Sequence, residues 1–304
     1  MHTGWAGRAG IHRFPRGLWG WAGRRWTGWV IYTFAQLRAE HSRREIEAAV
    51  AAGQLERAGH LYVTPGMDDA LVAPLRRGAR ATCLTAARFH EIWTPPGTGR
   101  HVYTRRGSPV PGGWVTHGYR HSWPEPDHVA TPALLIEHAC RCLQPLDVGI
   151  LAESALHLGL LQAADVAAIR RGAPRPVQRV LDRANPLAES GTESKVRLYL
   201  ELRRVPVTPQ VQIDGVGRVD LLIGRRWILE CDSRAHHTDE AAYATDRRRD
   251  LRAAELGYTT SRLTYAMCFS GWEDTVARLD TMIASGHHLV PPKEWIRARR
   301  VRRR

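Results

Sequence analysis

The chain has no uninterrupted stretch of about 18 apolar residues, which excludes a membrane-spanning helix of ordinary length. Its opening segment lacks the compact apolar run and small-residue cleavage site of a secretory signal. Cysteine is scarce: five in 304 residues, an odd count without secreted-type spacing, so a disulfide scaffold is excluded and a reducing cytoplasm is expected. Lysine is scarcer still (Lys195 and Lys293), so the formal net charge of +14 rests almost wholly on arginine. Such an excess says little about fold but favours polyanionic partners, nucleic acid before an anionic membrane. Arginine suits phosphate because its planar fork can hold two oxygens at once. At 43% hydrophobic residues the chain can bury a core, so it is not disordered throughout.

Residues 1–29 scatter Trp5, Trp19, Trp21, Trp26 and Trp29 among Gly and Arg with no helical or strand period. They read as an irregular extension; a Trp/Arg arm that stacks on bases is the functional alternative. From Ile31 a pattern emerges. Phe34 and Leu37, then Ile46 and Val50, recur at helical spacing, and Ser42 with Glu45 three residues on forms a capping-box signature for a helix over residues 42–52, closed by Gly53. Leu55, Leu61 and Val63 flank the tip Ala58-Gly59-His60 of a short hairpin. Helix, turn, helix, hairpin is the order of a winged helix-turn-helix, expected here over residues 30–80. Arg43 and Arg44 open its recognition helix and Arg57 and His60 lie on its wing, where contacts to DNA arise. A packing or dimer surface is the plainer alternative.

The stretch Gly53-Gln54-Leu55-Glu56-Arg57, then Gly59 and Leu61-Tyr62, resembles the N-terminal domain of AbiEi-type antitoxins over about fifty residues. That resemblance implies operator binding and a toxin or defence-system partner. Residues 81–185 say less: a helix opens at Cys83, His101-Val102-Tyr103 reads as a strand, and residues 133–142 and 147–161 are apolar at helical spacing, so a mostly helical connecting domain is expected. His138, Cys140 and Cys142 crowd together there. Positions i and i+2 diverge on a helix, however, and no second Cys/His pair follows at zinc spacing, so the three are read as ordinary helix residues. Residues 291–304 form a basic tail that would add sequence-independent affinity near DNA.

Residues 186–290 read helix, strand, strand, strand, helix, strand, helix, an α/β domain with a central mixed sheet flanked by helices. Two acids interrupt its apolar strands: Asp220 in Val219-Asp220-Leu221 and Glu230 in Leu229-Glu230-Cys231. A buried strand carboxylate costs several kcal/mol unless paired or bound to a metal. With a three-residue loop, Gly224 to Arg226, Asp220 lies directly opposite Glu230 on a shared face, with Asp232 on that face too; a two-residue loop separates the two acids. Facing acids repel, so the arrangement points to a cation, and hard oxygen donors select Mg²⁺ or Mn²⁺ over zinc.

Glu193, Arg218-Val219-Asp220, Glu230-Cys231-Asp232, His236-His237, Asp246-Arg247-Arg248-Arg249-Asp250 and Glu255-Leu256-Gly257-Tyr258 together resemble the Vsr-like branch of the PD-(D/E)XK nucleases, which includes very-short-patch-repair endonucleases. The match covers about ninety-five residues in order and implies a restriction-endonuclease-like fold. It makes Asp220 the principal metal ligand, brings Glu193 in through metal-bound water, and completes the shell at Glu230-Cys231. His237 becomes the acid or base at the scissile phosphate, with Asp250 and Arg248 or Arg249 orienting it. Two positions depart from the pattern: Asp232 replaces the usual lysine and Ser233 a glycine. The expected function is Mg²⁺-dependent hydrolysis of phosphodiesters in duplex DNA. The alternatives are an antitoxin-type transcriptional regulator whose nuclease domain is degenerate, and an RNA-processing nuclease.

Overall fold

The computed structural model describes residues 30–97, 99–104, 110–117, 128–232 and 240–290. The tryptophan-rich start, Ser233, His236, His237 and the basic tail lie outside them. The chain divides into two compact units at Met67/Asp68.

In the first unit, β1 (Ile31–Thr33) leads directly into α1 (Phe34–Arg38), followed by α2 (Arg43–Ala51), β2 (Glu56–Ala58) and β3 (Leu61–Val63). The expected order of helix, turn, helix and hairpin is present, with β1 added in front: it pairs with β3 to make a three-stranded sheet in the order β1-β3-β2. The Ser42 cap forms in both directions. Glu45 N–H donates to Ser42 Oγ at 3.2 Å, and Ser42 N–H donates to Glu45 Oε2 at 2.7 Å. The hairpin loop is two residues, since Ala58 pairs with Leu61, and Gly59 supplies the positive φ of 65° at its first position. Leu37, Ile46, Ala49 and Leu55 form the core.

The second unit begins with α3 (Asp69–Arg76), which falls before the expected boundary at residue 80. Then come β4 (Arg80–Ala81), α4 (Cys83–Phe89), β5 (Arg100–Tyr103), β6 (Trp114–Thr116), α5 (Pro132–Ala139), α6 (Pro145–His157), α7 (Ala163–Gly172) and α8 (Arg175–Leu181). The region is mostly helical, as expected, but β5 sits between β4 and β6 in a small sheet. Strand β5 falls where His101-Val102-Tyr103 is expected; β4 and β6, of two and three residues, carry too little period-2 pattern to be legible in the sequence.

Further along run α9 (Gly191–Leu202), β7 (Val207–Ile213), β8 (Gly217–Ile223), β9 (Trp227–Asp232), α10 (Glu240–Leu256), β10 (Thr259–Thr264), α11 (Tyr265–Cys268) and α12 (Trp272–Ala284), closed by a short 3-10 turn at His287–Leu289. The sheet order is β10-β9-β8-β7. The first three strands form an antiparallel meander, and α10 carries the chain across so that β10 lies parallel to β9. Alternation along the strands covers both faces. Leu221, Ile223, Trp227 and Leu229 pack with Val196 and Leu200 of α9 and Leu279 of α12, while Leu222 and Ile228 pack with Ala253 and Leu256 of α10. The chain is thus of mixed α/β class, and among the described residues no helix is long and apolar enough to cross a membrane.

A fully buried ion pair joins α6 to α9: Glu153 and Arg197 are 0% and 1% exposed. Arg197 also pairs with Glu201 at 2.7 Å and donates to the Arg183 carbonyl at 3.0 Å. Burial pushes the Glu153 carboxyl up to about 7 even though the guanidinium pulls it down.

Candidate functional site

The β8–β9 loop decides whether the two strand acids meet. Ile223 pairs with Trp227, leaving a loop of three residues, Gly224 to Arg226. Gly224 is suited to this turn: its φ is +60°, and a Cβ there would lie 2.4 Å from the His288 carbonyl oxygen. The same register, continued past Leu221↔Leu229, sets Asp220 opposite Glu230.

The ladder does not continue there; carboxylates take over. Asp220 N–H donates to Glu230 Oε2 at 3.3 Å, and Cys231 N–H donates to Asp220 Oδ2 at 2.8 Å. Backbone donors left over where the strands part are thus satisfied by the acids themselves. On the other side of β8 the pairing skips Gln210, whose φ is 53°. A left-handed conformation in a non-glycine residue costs on the order of 1–3 kcal/mol. Here it accompanies a contact, Gln210 Nε2 donating to Glu193 Oε2 at 2.8 Å.

Glu193 stands at the third position of α9, behind the Ser190 cap. It accepts from Ser190 Oγ at 2.8 Å, from the Glu189 N–H at 3.2 Å and from Gln210. Burial, and then the charge of Asp220, hold its carboxyl above the usual range against those donors. Glu230 is displaced further, to about 7, by burial first and then by Asp220. Two acids with raised proton affinity, each beside Asp220, mark negative charge confined in a partly dry place.

Cations approach from α10 and β10, already engaged. Arg249 donates to the carbonyls of Val216 at 2.8 Å and Arg218 at 2.6 Å, and comes within 3.8 Å of Glu230. Arg262, the cross-strand neighbour of Glu230, pairs with both oxygens of Asp250. That hydrogen bonding holds the Asp250 carboxyl below its usual range. Arg218 forks onto Glu189 at 2.7 and 2.9 Å, tying the β7–β8 hairpin to the start of α9.

The structure therefore brings Glu193, Asp220 and Glu230 into one neighbourhood, with Arg249 and the Asp250–Arg262 pair at its edge. Arg248 is exposed on α10. Asp250 is paired with Arg262, which lies on β10 at the level of Glu230. His237 is outside the described residues. Among the described residues, the three acids do not place one oxygen each within 4.8 Å of the others. In the first unit Arg43 pairs with Glu47 at 2.8 Å, Arg57 bonds back to the Gly59 carbonyl at 3.2 Å, and Arg44 is exposed at the start of α2.

The reading of Cys142 as an ordinary helix residue needs correcting. Helix α5 ends at Ala139, so Cys142 lies beyond it, and its sulfur meets Cys83, His101 and His117. His138 and Cys140 stay outside that group. The four partners span about sixty residues with no short-spaced pair, so no spacing rule could have found them.

No family model, no curated protein and no solved structure matches the chain.

Proposed function

We propose that residues 186–290 form a Vsr-like, restriction-endonuclease-type domain that hydrolyses phosphodiesters in duplex DNA with Mg²⁺ or Mn²⁺, and that the first unit is a winged helix that grips the DNA. Such a protein would work in the cytoplasm. The observation that carries this reading is Asp220 set opposite Glu230 where two strands part, with Glu193 in electrostatic reach, on a chain ordered α-β-β-β-α-β. The donor set fits a hard divalent ion: it is all oxygen, and Glu230 and Glu193 are displaced upward by burial and then by the charge of Asp220, both of which a bound cation offsets.

Asp220 and Glu230 would hold the ion. When bound, it lowers the pKa of a coordinated water and offsets charge on the phosphate. Glu193, fixed by three donors, adds a negative charge behind Asp220. Arg249, anchored on the hairpin carbonyls, keeps a positive charge beside Glu230. The family resemblance gives His237 the task of moving the proton, a role suited to a group that titrates near neutrality.

A second reading, an antitoxin-type regulator with a degenerate nuclease domain, is favoured by one observation: Glu193, Arg249 and Asp250 are already satisfied by other protein groups. One experiment separates the two. Plasmid, mismatched duplex and RNA are incubated with the protein in Mg²⁺ or EDTA. A nuclease nicks DNA only with the metal and loses this in Asp220→Ala. A regulator cuts nothing, and its operator binding survives Asp220→Ala but weakens in Arg44→Ala. Cleavage of RNA alone would replace both readings.

A further inference from the structure

We propose that Cys83, His101, His117 and Cys142 bind one Zn²⁺ as a tetrahedral structural site in the second unit. The inference is independent of the acid centre and of any reading of it.

The four residues come from four places: the first residue of α4, strand β5, the position just after β6, and the turn beyond α5. One ligand atom from each lies within 4.8 Å of all the others. Four of the six edges can be compared with those a zinc ion requires. The sulfurs of Cys83 and Cys142 are 3.5 Å apart, His101 Nδ1 and His117 Nε2 are 3.2 Å apart, and Cys142 Sγ lies 3.8 and 3.7 Å from those two nitrogens. Zn–S bonds of about 2.3 Å and Zn–N bonds of about 2.0–2.1 Å, arranged tetrahedrally, give edges of about 3.8 Å for S–S, about 3.3 Å for N–N and about 3.6 Å for S–N. The cluster has the size of a zinc shell.

Its surroundings hold that shape. Cys83 and His101 are 0% and 3% exposed. Cys83 has a φ of 47°, a strained backbone for a side chain in a helix's first turn, the kind of departure that gathers at functional positions. His101 is fixed through its backbone: its N–H donates to Thr85 Oγ1 at 2.7 Å and its carbonyl accepts from Thr82 at 3.1 Å. His117 N–H donates to the Val102 carbonyl at 2.8 Å, and its ring stacks on His138, which in turn stacks on Tyr103 and meets Thr82 Oγ1 at 2.7 Å. Supports of this kind orient ligands around metals.

Two thiolates and two imidazoles favour zinc over the hard ions suited to Asp220 and Glu230, and a shell filled by four protein ligands is structural, not catalytic. Its effect is tertiary. The small sheet β4–β5–β6 has few residues with which to hold itself to α4 and α5, and one ion would fasten ligands contributed by all three regions.

The full chain, purified without added chelator, is assayed for metal by mass spectrometry and then exchanged with Co²⁺. The expected result is about one zinc per chain, and a cobalt derivative with the intense visible bands and thiolate charge-transfer absorption of a tetrahedral site. Cys142→Ser, and separately His117→Ala, should lose the zinc and those bands. Asp220→Ala should keep both, which makes failure of the zinc site distinguishable from failure of the nuclease reading. Should the ligand variants not fold, the wild-type metal content and cobalt spectrum decide alone. Absence of zinc together with no tetrahedral cobalt spectrum overturns the proposal; so does a Cys83–Cys142 disulfide in the native protein.

Discussion

The second unit holds two clusters of ligand-type side chains that differ in almost every respect. At Asp220 and Glu230, hard oxygens are brought together by adjacent strands, and burial, then the charge of Asp220, raises the proton affinity of Glu230. At Cys83, His101, His117 and Cys142, soft donors from four separated segments close on one point within 4.8 Å. The acids are loosely grouped and partly wet, the arrangement expected where an ion must exchange and a substrate must enter. The thiols and imidazoles form a filled shell, with no position left for a substrate. Sheet geometry makes the first kind of site cheaply, since one loop length sets it. The second requires four segments to be in place at once.

The sharpest way to break this contrast is at Asp220. Asp220→Ala should lower metal-dependent DNA nicking by about 1,000-fold, the equivalent of about 4 kcal/mol, well beyond the modest loss of stability expected from leaving the Cys231 N–H without its acceptor. Nicking that survives the change would remove the acids from any catalytic role.

Next in size is Arg197→Met, which strands Glu153 in the core between α6 and α9. The loss should be about 3–5 kcal/mol in denaturant unfolding. Because α9 carries Glu193, any loss of cleavage should follow the unfolded fraction; cleavage lost in molecules that remain folded would make the clasp part of the site.

Glu230→Gln tests the displaced carboxyl directly. A carboxyl whose value rises from 4.5 to about 7 on folding favours the folded state at low pH, and that contribution is lost as pH climbs through this window. Wild type and variant should therefore be similarly stable near pH 4.5, and the variant more stable at pH 8 by on the order of 1–3 kcal/mol. Glu153 titrates in the same direction but is common to both proteins, so it cancels in the difference. Equal stability at both pH values would show that neither burial nor Asp220 raises the Glu230 carboxyl.

The smallest effect is thermal stabilisation by Mg²⁺. An ion at ten times its dissociation constant adds about 1.4 kcal/mol, reversibly, and should add nothing in Asp220→Ala. Zinc at the other cluster should resist dilution and leave only to a strong chelator. If Mg²⁺ stabilises wild type and Asp220→Ala alike, its binding lies elsewhere.

The acid pair was legible because it rests on local rules. Val219-Asp220-Leu221 and Leu229-Glu230-Cys231 are period-2 strands with a charge at one step; the sequence leaves a two- or three-residue loop open, and the observed register, with Gly224-Arg225-Arg226 as the loop, is what makes the acids face each other. The Ser42–Glu45 cap was legible for the same reason, being a contact between residues three apart. Strand β1 was not, because three residues running straight into a helix carry no period of their own; β3 defines it. Nor was the Asp250–Arg262 pair, which joins a helix to a neighbouring strand.

By itself, then, the sequence determined the run of helices and strands over residues 186–290, the capped helix and hairpin of the first unit, and the two acids that interrupt neighbouring strands, all governed by interactions between near neighbours along the chain. Tertiary structure alone decided that Cys83, His101, His117 and Cys142 share a centre, and that Glu193 is drawn to a left-handed Gln210. Those contacts depend on where separate segments come to rest once their apolar faces are buried, and no residue spacing encodes that.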